Sequence, residues 1–126
     1  MDIGVLKEAN EYEWGEPSFA QPKAKTNCVR FLSDSRNLNR QLKRNPYPMT
    51  KIREMLLKLE GFKYATSLEL KIVYYNIRIS DQSINLCTII LPWGNYWYKR
   101  LPMGVSNSPD IFQEKMNEMF HGFESL

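Results

Sequence analysis

The feature that most constrains this chain is residues 65–80, which read ATSLELKIVYYNIRIS. Up to Leu70 the stretch alternates as a β-strand does, so Tyr64, Thr66, Leu68 and Leu70 share one face. Ser67 and Glu69 point to the other. Glu69 is thereby a carboxylate near a strand end, the usual place for a metal ligand in an α+β enzyme. Taken alone it reads first as a solvated charge on the open face of an antiparallel sheet.

A strand needs neighbours, and the flanking sequence predicts them in order. Residues 2–12 have a loose helical spacing through Ile3 and Leu6, weakened by Gly4 and broken at Trp14-Gly15-Glu16-Pro17. Residues 18–21 and 28–32 form two short strands around a basic turn, a hairpin with a cationic tip. Lys23 and Arg30 on it suit a triphosphate, or are two solvated edge-strand cations. Ser33 or Asp34 caps a short turn, and the basic, proline-bounded residues 40–48 run extended after Asn45. Thr50 caps a helix over residues 51–59, with Ile52, Met55, Leu56 and Leu59 as its core stripe and Gly61 as its stop.

Beyond the central strand, Tyr74 and Tyr75 lead into a second strand segment at 76–80 and a turn at 81–85. Residues 86–91 and 96–101 flank a four-residue hairpin loop, Pro92-Trp93-Gly94-Asn95. After an irregular loop containing Gly104, Ser108 caps a last helix with Pro109 at its first position. Ile111, Phe112, Met116, Met119 and Phe120 line one side of that helix and Gly122 ends it. The layout is α+β, an antiparallel sheet with packed helices.

At 126 residues, the chain is one domain or part of a larger one, with a modest core. The net charge of +3 is small, but it is unevenly spread. Residues 1–16 carry five acids (Asp2, Glu8, Glu11, Glu13 and Glu16) against Lys7, whereas residues 17–53 carry nine bases against Asp34. That basic block is a candidate phosphate-facing surface or a solvated face. Cys28 and Cys87 lack neighbours at zinc spacing and read as reduced thiols. With His121 as the single histidine, a Ser-His-Asp or Cys-His nucleophile has little to build on. No apolar run approaches the length of a membrane span, and no signal peptide opens the chain, so an intracellular, soluble protein is expected.

Several separated segments jointly carry a resemblance. They are WGEPSFAQPK at 14–23, VRFLSDSRNLN at 29–39, residues 46–59 and 61–80, 87–91, 93–98, and LPMGVSNSPDIFQ at 101–113. Together they resemble the reverse transcriptase of gypsy-type long-terminal-repeat retrotransposons. The resemblance implies the fingers (about residues 1–60) and part of the palm (about 61–126) of a right-hand polymerase.

It further implies residue roles. Glu69 stands where the family has a magnesium-binding aspartate. Lys23 and Arg30 match cations that clasp an incoming nucleoside triphosphate, with the backbone N–H groups of Ile72 and Val73 near the same phosphates. Tyr74 matches the aromatic gate under the sugar. Met103 and Gly104 match a loop beside nucleotide and template, with Phe112 and Gln113 on the helix behind. The implied partners are dNTP, an RNA/DNA template-primer and the remainder of a Pol polyprotein, with no membrane. Arg36, Arg40, Lys43, Arg44, Lys51 and Arg53 lie in a stretch free of acids after Asp34, and Tyr47 between them is placed to stack on a base.

Three departures bear on activity. Glu69 is one methylene longer than aspartate, and magnesium geometry is strict. Val73 replaces a glycine, and Ser35 replaces an aromatic, with an expected loss of packing. The family's Tyr-x-Asp-Asp hairpin does not occur before Leu126. The expectation is therefore a polymerase fragment that binds magnesium poorly and is inactive as an isolated chain. The competing readings are a non-catalytic nucleic-acid-binding remnant and a decayed element without function.

Overall fold

Tyr96 pairs with Glu8 on one side and Ile89 on the other, and Trp97 with Lys7 and Thr88, so both lie inside a five-stranded sheet rather than at its edge. The computed structural model describes residues 4–24, 27–49, 51–58, 61 and 63–122. Its strands are β1 (Leu6–Glu8), β2 (Glu16–Pro22), β3 (Val29–Ser33), β4 (Thr88–Leu91) and β5 (Gly94–Tyr98), in the spatial order β1-β5-β4-β2-β3. All neighbours are antiparallel except β2 and β4, which run parallel with Glu16 opposite Ile89. The sheet is thus mixed, and it joins strands from both halves of the chain.

The helices are α1 (Arg36–Gln41), α2 (Ile52–Lys58), α3 (Asp81–Ile84) and α4 (Ser108–Met119), with 3-10 turns at Val73–Asn76 and Asn85–Cys87. Leu38 of α1, Ile89, Tyr98, Leu101 and Val105 make the buried apolar core. Burying a side chain such as Ile89 fully contributes about 2 kcal/mol.

The β2–β3 hairpin forms as predicted, with Phe19 opposite Leu32 and Gln21 opposite Arg30. Elsewhere the fold corrects the expectations. The described part of residues 2–12 is not helical: Leu6–Glu8 pairs with β5, Leu6 opposite Tyr98, and the Lys7 ammonium lies 5.8 Å from the Trp97 ring centre. A weak helix propensity yields to an open edge that offers ladder bonds and aromatic surface. The central strand does not form either. Residues 64–70 are irregular and exposed, and no described strand pairs with them. Alternation selects a face, but a strand is stable only beside a partner.

The 76–80 segment is likewise reduced to one antiparallel bridge, Arg78 opposite Arg100, beside bonds from Ile79 N–H to the Lys99 carbonyl and from Leu101 N–H to the Ile77 carbonyl. The predicted turn at 81–85 is helical in α3. The hairpin loop shortens to Pro92-Trp93, since Leu91 already pairs with Gly94.

Helix α2 exists, but its apolar stripe is no core: Ile52 is 76% exposed, and Met55 and Leu56 are exposed as well. Thr50 and Leu59 lie outside the described residues. Asn107 rather than Ser108 precedes α4; Ser108 is buried and its hydroxyl donates to the Pro102 carbonyl at 2.8 Å. Met119 is exposed, whereas Ile111, Phe112, Met116 and Phe120 are half-buried. Among the described residues no helix is long and apolar enough to cross a membrane.

Candidate functional site

Asn39 near the end of α1 fixes the loop before α4. Its side-chain amide donates to the Gly104 carbonyl at 2.8 Å, and its oxygen accepts the Ser106 N–H at 2.8 Å. Gly104 has φ +98°, and a Cβ there would sit 3.4 Å from the Ser33 carbonyl oxygen, so the loop's close approach suits glycine. Met103 and Gly104 are thereby held against the end of β3 and the start of α1. The Tyr74 ring meets Phe112 of α4 edge-on, centroids 5.8 Å apart. Gln113, one residue on, donates to Asn117 at 3.2 Å.

A part-buried polar column runs from Tyr75 through Tyr98 into the β2–β3 hairpin. Tyr75 stacks on Tyr98 with centroids 6.2 Å apart, and the Tyr98 hydroxyl lies 2.8 Å from Ser33 Oγ, which in turn accepts from Ser18 at 3.0 Å. Burial pushes the Tyr98 phenol far above its ordinary range. Beside it, Glu16 is 4% exposed and accepts the Ser35 hydroxyl at 2.7 Å. Ser35 is therefore not the packing loss expected of it; the Glu16 carboxylate occupies the space beside it. Desolvation raises the Glu16 pKa above its ordinary 4.5, offset in part by bonds from Ser35 and the Leu38 backbone. Burial, aided by the Glu16 charge, pushes the Cys87 thiol up to about 11, so it is an inert thiol at neutral pH.

The strand-turn before Tyr74 is strained. Ile72 is left-handed, with φ 58° and ψ 33°, a conformation β-branched residues avoid. The Asn76 side chain donates to the Lys71 carbonyl at 2.9 Å and Tyr75 N–H to the Ile72 carbonyl at 2.8 Å, bonds that hold the turn closed. Val73 opens the 3-10 turn, where leading N–H groups have no partner within the turn.

Other candidate residues are not gathered here. Lys23 and Arg30 are exposed on the β2–β3 hairpin, where Lys23 N–H bonds the Cys28 carbonyl. Glu69 is exposed, and no described residue forms a hydrogen bond or ion pair with it. Among the described residues no group of three or more His, Cys, Asp or Glu is arranged to hold a metal. A single carboxylate does not fit a magnesium site.

The six basic residues differ in their surroundings. Arg36 forms a two-pronged bond to Asp34, at 2.8 and 2.5 Å, which lowers the Asp34 pKa to about 2. Arg40 bonds Asn37, and Lys51 pairs with Glu54 at 3.7 Å. Arg44 donates through Nε to the buried Asp110 carboxylate at 3.3 Å, and the Tyr47 N–H donates to the other Asp110 oxygen at 3.0 Å. Lys43 and Arg53 have no ion pair among the described residues. Asn39, Asp110 and Glu16 went unflagged in the sequence: each is a common polar residue whose role depends on a contact 19 to 67 residues distant.

Residues 21–125 match the family model described as reverse transcriptase (RNA-dependent DNA polymerase). The chain belongs to the reverse transcriptase family. It is 30% identical over 123 residues to the retrovirus-related Pol polyprotein from transposon 297 of Drosophila melanogaster, covering 94% of this chain and 12% of that one. Against a putative enzymatic polyprotein of Cassava vein mosaic virus it is 27% identical over 126 residues, covering 95% and 19%. The Tf2-3 transposon polyprotein of Schizosaccharomyces pombe is 30% identical over 117 residues, covering 93% and 9%. The chain thus spans less than a fifth of the curated relatives it matches. Among solved structures, the native prototype foamy virus protease–reverse transcriptase superposes with a TM-score of 0.81 at 24% identity, over 96% of this chain and 16% of that one. The foamy viral enzyme in complex with RNA/DNA hybrid gives 0.84 at 20% identity, over 97% and 16%. These confirm a reverse transcriptase fold fragment, α+β as expected.

Proposed function

We propose that this chain is the fingers (about residues 1–60) and part of the palm (about 61–126) of a gypsy-type retroelement polymerase, and that it holds template-primer and the incoming dNTP. The observation that carries the reading is what stands at the family's nucleotide positions: a Met103–Gly104 loop pinned by Asn39, and a Tyr74 ring set edge-on against Phe112. Tyr74, seated edge-on against Phe112, is a stiff wall of the kind that rejects a 2′-hydroxyl by clash. Lys23 and Arg30, with the turn at Ile72 and Val73, suit phosphate charge. The basic residues Arg36, Arg40, Lys43, Arg44, Lys51 and Arg53 suit a nucleic-acid backbone. The RNA/DNA hybrid held by the foamy viral relative supports the same partner here.

Family chemistry uses divalent metal to stabilise phosphoryl transfer. Among the described residues no group of three or more carboxylates, histidines or cysteines is arranged to hold that metal, so the proposal for these residues is template-primer binding. The test is anisotropy of a labelled RNA/DNA hybrid with the 126-residue chain at rising salt. Affinity is expected to fall steeply, and replacing Arg40, Lys43 and Arg53 by Ala flattens the slope by about three phosphate contacts. A salt-independent affinity overturns the reading. Magnesium-dependent primer extension by the same chain would overturn the binding-only assignment.

A further inference from the structure

Residues 42–49 have no regular structure, yet they carry Lys43, Arg44 and Tyr47 between α1 and α2. What fastens them comes from α4. Asp110 is 3% exposed, and both of its carboxylate oxygens leave the helix to meet this segment, Oδ2 accepting from Arg44 Nε at 3.3 Å and Oδ1 from the Tyr47 N–H at 3.0 Å. Asn107 donates to the Lys43 carbonyl at 3.3 Å, and Asn117 donates to the Tyr47 hydroxyl at 3.0 Å. Arg44 itself is 64% exposed at its side chain. Among the described residues only its Nε forms a hydrogen bond, so both terminal nitrogens of this exposed guanidinium remain donors to spare.

We infer that Asp110 is a positioning residue for nucleic-acid binding: its buried carboxylate orients Arg44 and residue 47 so that the outer edge of the guanidinium meets a backbone phosphate. This rests on the binding reading above. A guanidinium has five donors in a rigid fork, so one edge can be held by a carboxylate while the other takes two phosphate oxygens. Fixing the side chain in advance removes part of the ordering cost of binding.

The test uses the 126-residue chain, a labelled RNA/DNA hybrid at several salt concentrations, and a thermal melt of each variant. Asp110→Asn keeps shape and removes the charge; it is expected to weaken binding about tenfold. Arg44→Ala should weaken binding similarly and lower the salt slope by about one phosphate. In the Arg44→Ala background, Asp110→Asn should add little. Arg44→Lys should recover the slope without the full affinity, because an ammonium lacks the fork. Unchanged hybrid binding by Asp110→Asn, or an undiminished effect in the Arg44→Ala background, overturns the positioning role. If the unsubstituted chain does not bind the hybrid, the binding reading itself falls and takes this role with it, which is a different outcome from binding that survives Asp110→Asn.

Discussion

Residues 51–72 and residues 77–120 carry apolar patterns of similar strength, yet only the second region is packed. In the first, α2 stands with its stripe exposed, and the alternating stretch at 64–70 pairs with nothing described. In the second, Ile89, Tyr98, Leu101 and Val105 form the core with Leu38, and the Tyr98 and Ser108 hydroxyls buried there find partners. The difference teaches that a pattern states which face a segment would bury, and that a neighbour decides whether it does. A helix satisfies its own backbone and persists without one, whereas a strand does not.

The sharpest way to break this contrast is truncation on each side. Ile89→Ala should cost about 2–5 kcal/mol in urea unfolding, because a fully buried side chain leaves a cavity. Leu56→Ala in α2 should stay within about 0.5 kcal/mol. Comparable losses at both would show that α2 is packed after all.

Next in size is the buried carboxylate. Ser35→Ala removes the hydroxyl that donates to Glu16 and should cost about 1–3 kcal/mol. Because the native carboxyl holds its proton more tightly than the unfolded one, its contribution to stability is full below about pH 4.5 and is lost as pH rises through the folded value. Glu16→Gln should therefore flatten the pH dependence of the melting temperature above that point; an unchanged profile would show that Glu16 does not titrate on unfolding.

Smaller still is the strain at residue 72. Ile72→Asn should raise stability by about 1 kcal/mol, since asparagine tolerates the left-handed region that isoleucine resists. A loss on substitution would mean that the isoleucine side chain has packing worth more than its strain. The least effect belongs to Asp34, whose ion pair with Arg36 is on the surface. Its carboxyl should titrate at about 2 by NMR, and Asp34→Asn should leave the melting temperature at neutral pH unchanged.

The hairpin of β2 and β3, helix α4 with Pro109 in its first turn, and the glycine stop at Gly122 were legible in the chain, because each depends on signals within a few residues. What was not legible involves long reach. The strand β1 displaces a weak helix only because β5 offers an edge. The parallel join of β2 to β4 leaves no local trace. Of the site, the family motifs pointed to Tyr74, Met103, Gly104 and Phe112; the structure pairs the Tyr74 and Phe112 rings and pins Gly104 to Asn39. The same motifs said nothing of Asn39 or Asp110 as clamps. Glu69, read as the organising carboxylate, stands apart because the strand meant to carry it has no partner.

That parallel join also sets the order in which the molecule assembles. Glu16 and Ile89 are about seventy residues apart, so the β2–β3 hairpin forms early from local contacts but gains its place only when β4 exists. During synthesis the hairpin emerges first and waits, its inner edge bare, until β4 and β5 leave the ribosome. The buried Glu16, seated at that edge, spends the interval in water, and the desolvation that raises its pKa arrives only as the sheet closes over it.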